Sequence, residues 1–255
     1  MKRITYTMEL LSSLIISPRS GQAFYNGIDE FCLSPCTEVS DIVATEKNEV
    51  KVVYPFYQYG EYAKYDPKHA NYYVPGSSIK GALQSKGSAM NHFMADDVMV
   101  PNGGVVLRNL WKAQYLENEE AAEFGVFFSN VGIEMIKDEI KLQGELYLEE
   151  NIDFTMILEA ANKDTISKVT QMCTYLRTLL KKKYNSNLKN NLHLIERNLS
   201  SLLNENDVIL LGGYKGLLHS ILLDNHKKEL SGGLFIDYMT MFPHGIVKIK
   251  PVVNL

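Results

Sequence analysis

Residues 73–87 read Tyr73-Val74-Pro75-Gly76-Ser77-Ser78-Ile79-Lys80-Gly81-Ala82-Leu83-Gln84-Ser85-Lys86-Gly87. A Pro-Gly-Ser-Ser turn runs straight into helical spacing, with Ile79 and Leu83 on one side and Ser77 or Ser78 standing as N-cap. A helix start leaves backbone N–H groups without intrahelical partners. Here two hydroxyls and the Lys80 ammonium accompany them, a donor set suited to phosphate. The same residues also read as an ordinary capped helix start, with Gly76 present for chain geometry.

The chain has 255 residues, 45% of them hydrophobic, enough for one large or two small packed domains. Its apolar runs fall short of the roughly 20 residues a membrane span needs. The opening Met1-Lys2-Arg3 leads into alternation rather than a signal-peptide core, so the expectation is a cytoplasmic chain with no membrane partner. Three cysteines, Cys32, Cys36 and Cys173, make a disulfide framework improbable, and Cys32-x3-Cys36 lacks a second Cys/His pair to complete a zinc site.

The net charge of -4 speaks against a protein that coats nucleic acid by bulk electrostatics. The distribution is uneven: residues 101–150 hold 4 basic and 10 acidic side chains, residues 151–200 hold 8 basic and 4 acidic. Such polarity suits a subunit with one face on RNA or an acidic neighbour, and is also within ordinary surface variation.

Along the chain, residues 3–16 alternate and then become continuously apolar, as a strand entering a buried sheet does. Residues 54–73 are crowded with aromatics, either packed under a cover or used for stacking. The spacing predicts a helix over 78–93 with Phe93 on its inner side, and a hairpin whose arms, 98–100 and 105–110, flank Pro101-Asn102-Gly103-Gly104. Strands are expected over 124–136, 139–148 and 152–160. From 163 to 203 the period turns helical, with Ile166, Val169, Cys173, Leu176 and Leu180 as one stripe and Leu188, Leu192, Ile195, Leu199 and Leu203 as another. Strand character returns at 207–211, 234–241 and 246–253. The order of strand, helix, strands, helices, strands is α+β.

The segment from Tyr73 to Leu83 resembles the "(I/V)PGSS(I/L)KG" signature of RAMP proteins, the ferredoxin-like RNA-binding subunits of CRISPR effector complexes. Leu211-Gly212-Gly213-Tyr214-Lys215-Gly216-Leu217 is similar to their C-terminal glycine-rich loop. Phe242-Pro243-His244-Gly245-Ile246-Val247-Lys248-Ile249 is similar to the "PxGxxK" ending of the Csm branch of type III systems. The resemblance spans residues 73 to 249 and is closest to the type III-A Csm subunit that caps the 3′ side of the guide RNA.

It implies a ferredoxin-like, RRM-like RAMP fold over 1–255 as a single domain, with an aromatic-rich insertion at 18–72 and an added helical segment at 161–205. It also implies crRNA and other Csm/RAMP subunits as partners, target RNA through the guide, and no cofactor. RNA contacts then fall to Gly76, Ser77, Ser78, Lys80, Gly212, Gly213, Tyr214, Lys215 and Gly216, with hydroxyls, backbone N–H groups and cations meeting phosphate and Tyr214 beside a base.

Two enzymatic alternatives attach to single residues. Asn26-Gly27-Ile28-Asp29-Glu30-Phe31 is similar to the "GxID" segment of the repeated Csm backbone subunit, where the aspartate supports metal-dependent cleavage of target RNA. Asp29 is therefore the candidate catalytic carboxylate, although Glu30-Phe31-Cys32 replace the usual small and proline residues, and a turn aspartate fits equally. His219, beside the glycine loop, could be the general base of a metal-independent guide-processing endoribonuclease, or a satisfied core histidine. Lys181-Lys182-Lys183 reads as a solvated helix end, and Asp96-Asp97 as a cap for the preceding helix.

Overall fold

The structure is a computed structural model that describes residues 1–16, 20–33, 50–84, 93–184, 186–212, 216–222 and 232–252. The strand Lys2–Leu10 lies at the centre of a five-stranded sheet ordered Val208–Leu210, Ile246–Pro251, Lys2–Leu10, Lys141–Leu148, Phe93–Ala95. Every neighbouring pair is antiparallel. Met8 stands opposite Leu142 on one side and Ile249 on the other. The period-two alternation puts Tyr6, Met8 and Leu10 on one face with Leu142, Leu146 and Leu148, and all of them are buried.

Helices α1 (Gly76–Leu83) and α2 (Phe154–Leu179) cover that face. Ile79 and Leu83 of α1 share its core with Phe154, Ile157, Leu158 and Ala161 of α2. α2 has 26 residues and is therefore about 39 Å long, too long for one core. Its second half, through Val169, Met172, Cys173 and Leu176, packs on Leu188, Leu192, Ile195 and Leu199 of α3 (Ser186–Ser201) and on Ala113, Ala122, Leu234 and Ile236. Those last four belong to a second sheet, ordered Ala121–Val126, Trp111–Leu116, Gly233–Asp237, Phe242–Pro243. A third sheet runs Val105–Arg108, Val131–Ile136, Val52–Tyr54, Phe24–Tyr25. No helix among the described residues is long and apolar enough to cross a membrane.

Several local expectations are revised. The run 11–16, buried from Ser12 to Ile16 and half-buried at Leu11, is not a strand beyond Leu10. It carries the chain from the central sheet to the third, where Leu14 bridges Ile136, and so it is enclosed on all sides. The Pro101-Asn102-Gly103-Gly104 turn exists, Gly103 having φ +75° and Gly104 N–H donating to the Pro101 carbonyl at 2.9 Å. Its arms nevertheless part: Val98–Met99 pairs with Asn71–Val74, and Val105–Arg108 pairs with Val131–Ile136. Residues 154–160 are helix, not strand. Asp153 caps α2 by accepting the Thr155 N–H at 2.9 Å, and Phe154, Ile157, Leu158 and Ala161 hold helical spacing. Helix α1 ends at Leu83, and Phe93 belongs to a strand of the central sheet.

The aromatic stretch is mostly packed, and a buried carboxylate organises it. Glu134, on the strand Val131–Ile136, accepts the Phe56 N–H at 2.9 Å, the Tyr65 hydroxyl at 3.1 Å and the Tyr72 hydroxyl. Phe56, Tyr65 and Tyr72 are themselves buried. Burial pushes the Glu134 carboxyl up from 4.5 to about 7, against the pull of its three donors. In the unfolded chain the carboxyl ionises near 4.5 while the fold still holds the proton, so stability from this group is complete below about 4.5 and declines as pH rises through about 7. Glu134→Gln is expected to lower the melting temperature at pH 5, since the amide offers one accepting oxygen to three donors, and to flatten the decline between pH 5 and 7. Thermal unfolding at a series of pH values checks this, and an unchanged slope refutes it.

Candidate nucleic-acid interface

Helix α1 is seated by contacts remote in sequence. Its N-cap is Pro75, with φ -62° and ψ 133°, and neither Ser77 nor Ser78 closes a side-chain cap. The cap comes instead from Asp97, whose Oδ1 accepts the Gly76 N–H at 2.7 Å. Its Oδ2 accepts the Tyr59 hydroxyl at 3.0 Å, and Tyr59 stacks on Tyr73 with centroids 4.1 Å apart. Both serine hydroxyls are thereby released from capping. Ser77 is exposed and Ser78 half-buried.

Gly76 is required by close approach. A Cβ there would lie 2.0 Å from the Ala95 carbonyl oxygen, so the helix start presses directly on the edge of the central sheet. The second bend is fixed in the same way: Gly212 has φ +59°, and a Cβ would meet the Ile15 carbonyl oxygen at 2.5 Å. Two side chains of α2 hold the strand that leads to it. Asn162 Nδ2 donates to the Glu205 and Val208 carbonyls at 3.0 and 2.8 Å, and Thr165 Oγ1 accepts the Leu210 N–H at 3.0 Å.

Between these bends lies a cavity of about 470 Å³. Ser77, Ser78, Gly81 and Ala82 of α1 with its C-cap Gln84 form one wall, and Ala161, Asp164, Thr165 and Lys168 of α2 another. Leu210, Gly212, and His219 and Ser220 of the short helix α4 (Leu217–Ser220) complete it. Of the residues singled out from sequence, Ser77, Ser78, Gly212 and His219 meet here. Gly216 caps α4, and its carbonyl accepts the His219 and Ser220 N–H groups at 3.1 and 3.2 Å. Gly213, Tyr214 and Lys215 lie outside the described residues. Lys80 is not among the lining residues: its Nζ sits 5.6 Å from the centroid of the Phe93 ring.

Lys168 and Thr165 were not anticipated. Their signal was present as polar residues interrupting the apolar stripe of α2, but only tertiary structure turns that interruption toward α1. His219 is buried, at 5% exposure. Burial pushes its pKa down from 6.5 to about 4, with the Lys168 cation adding to the effect, so the ring is neutral at pH 7.

Asp29 stands in a tight turn apart from these walls. Its Oδ2 accepts the Tyr25 N–H at 2.7 Å, its own N–H donates to the Tyr25 carbonyl at 2.9 Å, and Gly27 between them has φ +85°. Among the described residues no cluster of three or more His, Cys, Asp or Glu is placed to hold a metal ion. Cys32 is exposed and Cys173 buried, both as free thiols, and Cys36 lies outside the described residues. Lys182 rests over the Tyr115 ring at 4.7 Å.

Neither a scan against protein-family models nor a search of curated proteins gives a match. Among solved structures, the fold is similar to that of a chain in the cryo-EM structure of a Csm–crRNA–target RNA ternary complex of a type III-A CRISPR-Cas system. The TM-score is 0.53 at 12% sequence identity, over 97% of this chain and 100% of that chain. At that identity the likeness is one of fold.

Because the α1 start leaves no room for a β-carbon, Gly76→Ala must displace either the helix or the Phe93–Ala95 strand. A loss of about 1–3 kcal/mol is expected, read as a lower urea midpoint at unchanged m-value. An unaltered midpoint would show that the helix start does not press on Ala95.

Proposed function

We propose that this chain is a crRNA-binding subunit of a type III-A Csm interference complex, set at the 3′ side of the guide, and that the cavity between α1 and the Gly212 bend grips the guide's ribose-phosphate strand. The observation that carries the reading is the meeting of Ser77 and Ser78 with Gly212 along one cavity, although more than a hundred residues separate them in the chain. The fold likeness to a chain of a Csm–crRNA–target RNA complex supports it.

Strand order supports the ferredoxin-like reading. Omitting the edge strand Val208–Leu210, the sheet runs Ile246–Pro251, Lys2–Leu10, Lys141–Leu148, Phe93–Ala95, all antiparallel. α1 lies in the chain between Lys2–Leu10 and Phe93–Ala95, and α2 between Lys141–Leu148 and Ile246–Pro251. That is the strand-helix-strand, strand-helix-strand order of such a domain. Residues 18–72 are then an insertion and 161–205 an added helical segment on one RAMP domain.

Mechanistically, the hydroxyls of Ser77 and Ser78 donate to phosphate oxygens, and Lys168 supplies the positive charge within the cavity. Tyr214, Lys215 and the N–H groups from Gly213 to Gly216 would extend the grip on the glycine-loop side, with Tyr214 beside a base. Lys80, over Phe93, meets phosphate only at the rim. The carboxylate of Asp164 tempers the local field, so affinity rests on directed hydrogen bonds and on docking to neighbouring subunits, in keeping with a net charge of -4. The strand is held open while adjoining bases pair with target RNA.

Filter binding of a single-stranded RNA oligonucleotide to the full-length chain, between about 50 and 200 mM salt, tests the grip. Lys168→Ala is expected to weaken binding and to reduce the slope of log K against log salt by about 0.7, as one released phosphate contact on a single strand would. Lys80→Ala should have the smaller effect. Unchanged affinity and slope for Lys168→Ala, with stability intact, would remove the cavity as the RNA site. The position at the guide's 3′ side is checked by imaging the native assembly: one copy at a terminus agrees, and repeated copies along a filament disagree.

A further inference from the structure

The strand Ala121–Val126 ends the second sheet, with Trp111–Leu116 on one side and no further strand of that sheet among the described residues on the other. In an antiparallel pair, successive residues point their backbone groups alternately toward the partner strand and away from it. The Phe127 N–H donates to the Leu110 carbonyl, so residues 121, 123 and 125 bond to Trp111–Leu116, whereas residues 122, 124 and 126 turn N–H and C=O to the edge. There the Ala122 N–H meets the Lys183 carbonyl at 2.9 Å. The chain then departs into α3, and the outward groups of Phe124 and Val126 have no partner among the described residues.

Between this edge and the first turns of α3 lies a half-open cleft of about 600 Å³. Ala122, Phe124, Tyr184 and Leu188 give it apolar lining, and Glu119, Glu123 and Lys183 give it charge. Phe124 is on the α3 side of the sheet, packed with Ala113 and Ala122, and the period of two puts Glu123 on the opposite side, where its Oε2 accepts from Gln114 Nε2 at 3.0 Å. Glu117, Glu119, Glu120 and Glu123 are all exposed. Lys112, on the Glu123 side, is engaged over the Phe127 ring at 4.7 Å.

An open row of backbone groups beside a helix is the geometry that takes an added strand, with main-chain bonds giving affinity and alternate side chains giving specificity. We infer that the edge at 122–126 receives an extended basic segment of a protein partner. That segment bonds to Phe124 and Val126, lays alternate apolar side chains against Phe124 and Leu188, and turns basic ones toward Glu119 and Glu123. Charge selects this occupant: the carboxylates around the edge outnumber Lys183, so they attract cations and repel a phosphate strand. The inference is independent of what the cavity between α1 and Gly212 holds.

The test uses the full-length chain and three acetylated, amidated octapeptides: alternating Lys-Val, the same peptide N-methylated at every residue, and alternating Glu-Val. N-methylation keeps charge and side chains and removes the backbone donors. The Lys-Val peptide is expected to protect the Phe124 and Val126 amides from hydrogen exchange, read by NMR, and to bind roughly tenfold more tightly than either control. Val126→Pro removes an outward N–H and no bond to Trp111–Leu116, so it should weaken Lys-Val binding about fivefold at an unchanged melting temperature. The paired change Glu119→Lys with Glu123→Lys leaves the backbone intact and is expected to turn the preference toward Glu-Val; it decides alone if the proline variant unfolds. Absence of Lys-Val binding at millimolar concentration, or equal binding of either control peptide, overturns the inference. It is overturned as well by a single-stranded RNA oligonucleotide that protects the same two amides, or by a dimer in sedimentation that Val126→Pro dissociates, since RNA or a second copy would then occupy the edge.

Discussion

Two backbone contacts at glycine govern the geometry of the cavity. At Gly76 the first turn of α1 lies against the Ala95 carbonyl, and at Gly212 the chain turns against the Ile15 carbonyl. In each case the missing side chain is what allows two segments to touch through their backbones, and the walls stand as far apart as those contacts permit. The side chains of α2 complete the frame. Asn162 and Thr165 use their polar groups on the backbone of residues 205–210, so the glycine bend is carried by a helix and not left to a free loop. A binding surface made from bends gains its precision from such rigid seats.

The length of α2 links this frame to the rest of the molecule. Its first half closes the central core with α1, and its second half closes another with α3 and the sheet around Trp111–Leu116. A displacement of α2 that eased one core would open the other, because each is close-packed. The same logic applies to the buried charges. Arg108 approaches Asp138 at 3.7 Å and Asp237 at 3.8 Å, and Asp237 accepts the N–H groups of Ser13 and Met239 at 2.8 and 3.0 Å. These groups tie the 11–16 crossing to the second sheet. Desolvation offsets much of the attraction in such buried pairs, whereas removing one partner would strand the other charge.

The chemistry of the cavity agrees with the modest charge of the chain. Among the described residues, hydroxyls, the Lys168 cation and the Asp164 carboxylate line a half-open cleft, so a strand bound there as proposed would be recognised by matching donors to acceptors instead of by a broad positive surface. Aromatic residues contribute at a distance. Tyr59, stacked on Tyr73, bonds to the same Asp97 that caps α1, so the aromatic segment and the helix start share one carboxylate.

Much of this was legible residue by residue. Alternation in residues 3–10, the two apolar stripes between 163 and 203, and the turns at Gly76 and Gly103 are local patterns, since burial on one face imposes a period of two on strands and about 3.6 on helices. The Pro-Gly-Ser-Ser turn likewise announced a helix start with donors to spare. Local pattern could not place Asp97 or Ala95 at that start, nor send the arms on either side of Pro101-Asn102-Gly103-Gly104 to different sheets, nor show that residues 154–160 continue a helix. Those outcomes depend on which distant segment offers a partner. A hydrogen bond or a close-packed face has no signature until both sides are in place. The donor residues at 77 and 78 were thus determined by sequence, whereas their meeting with Gly212, Lys168 and His219 was decided by the fold, which alone brings residues far apart in the chain to the lining of one cavity.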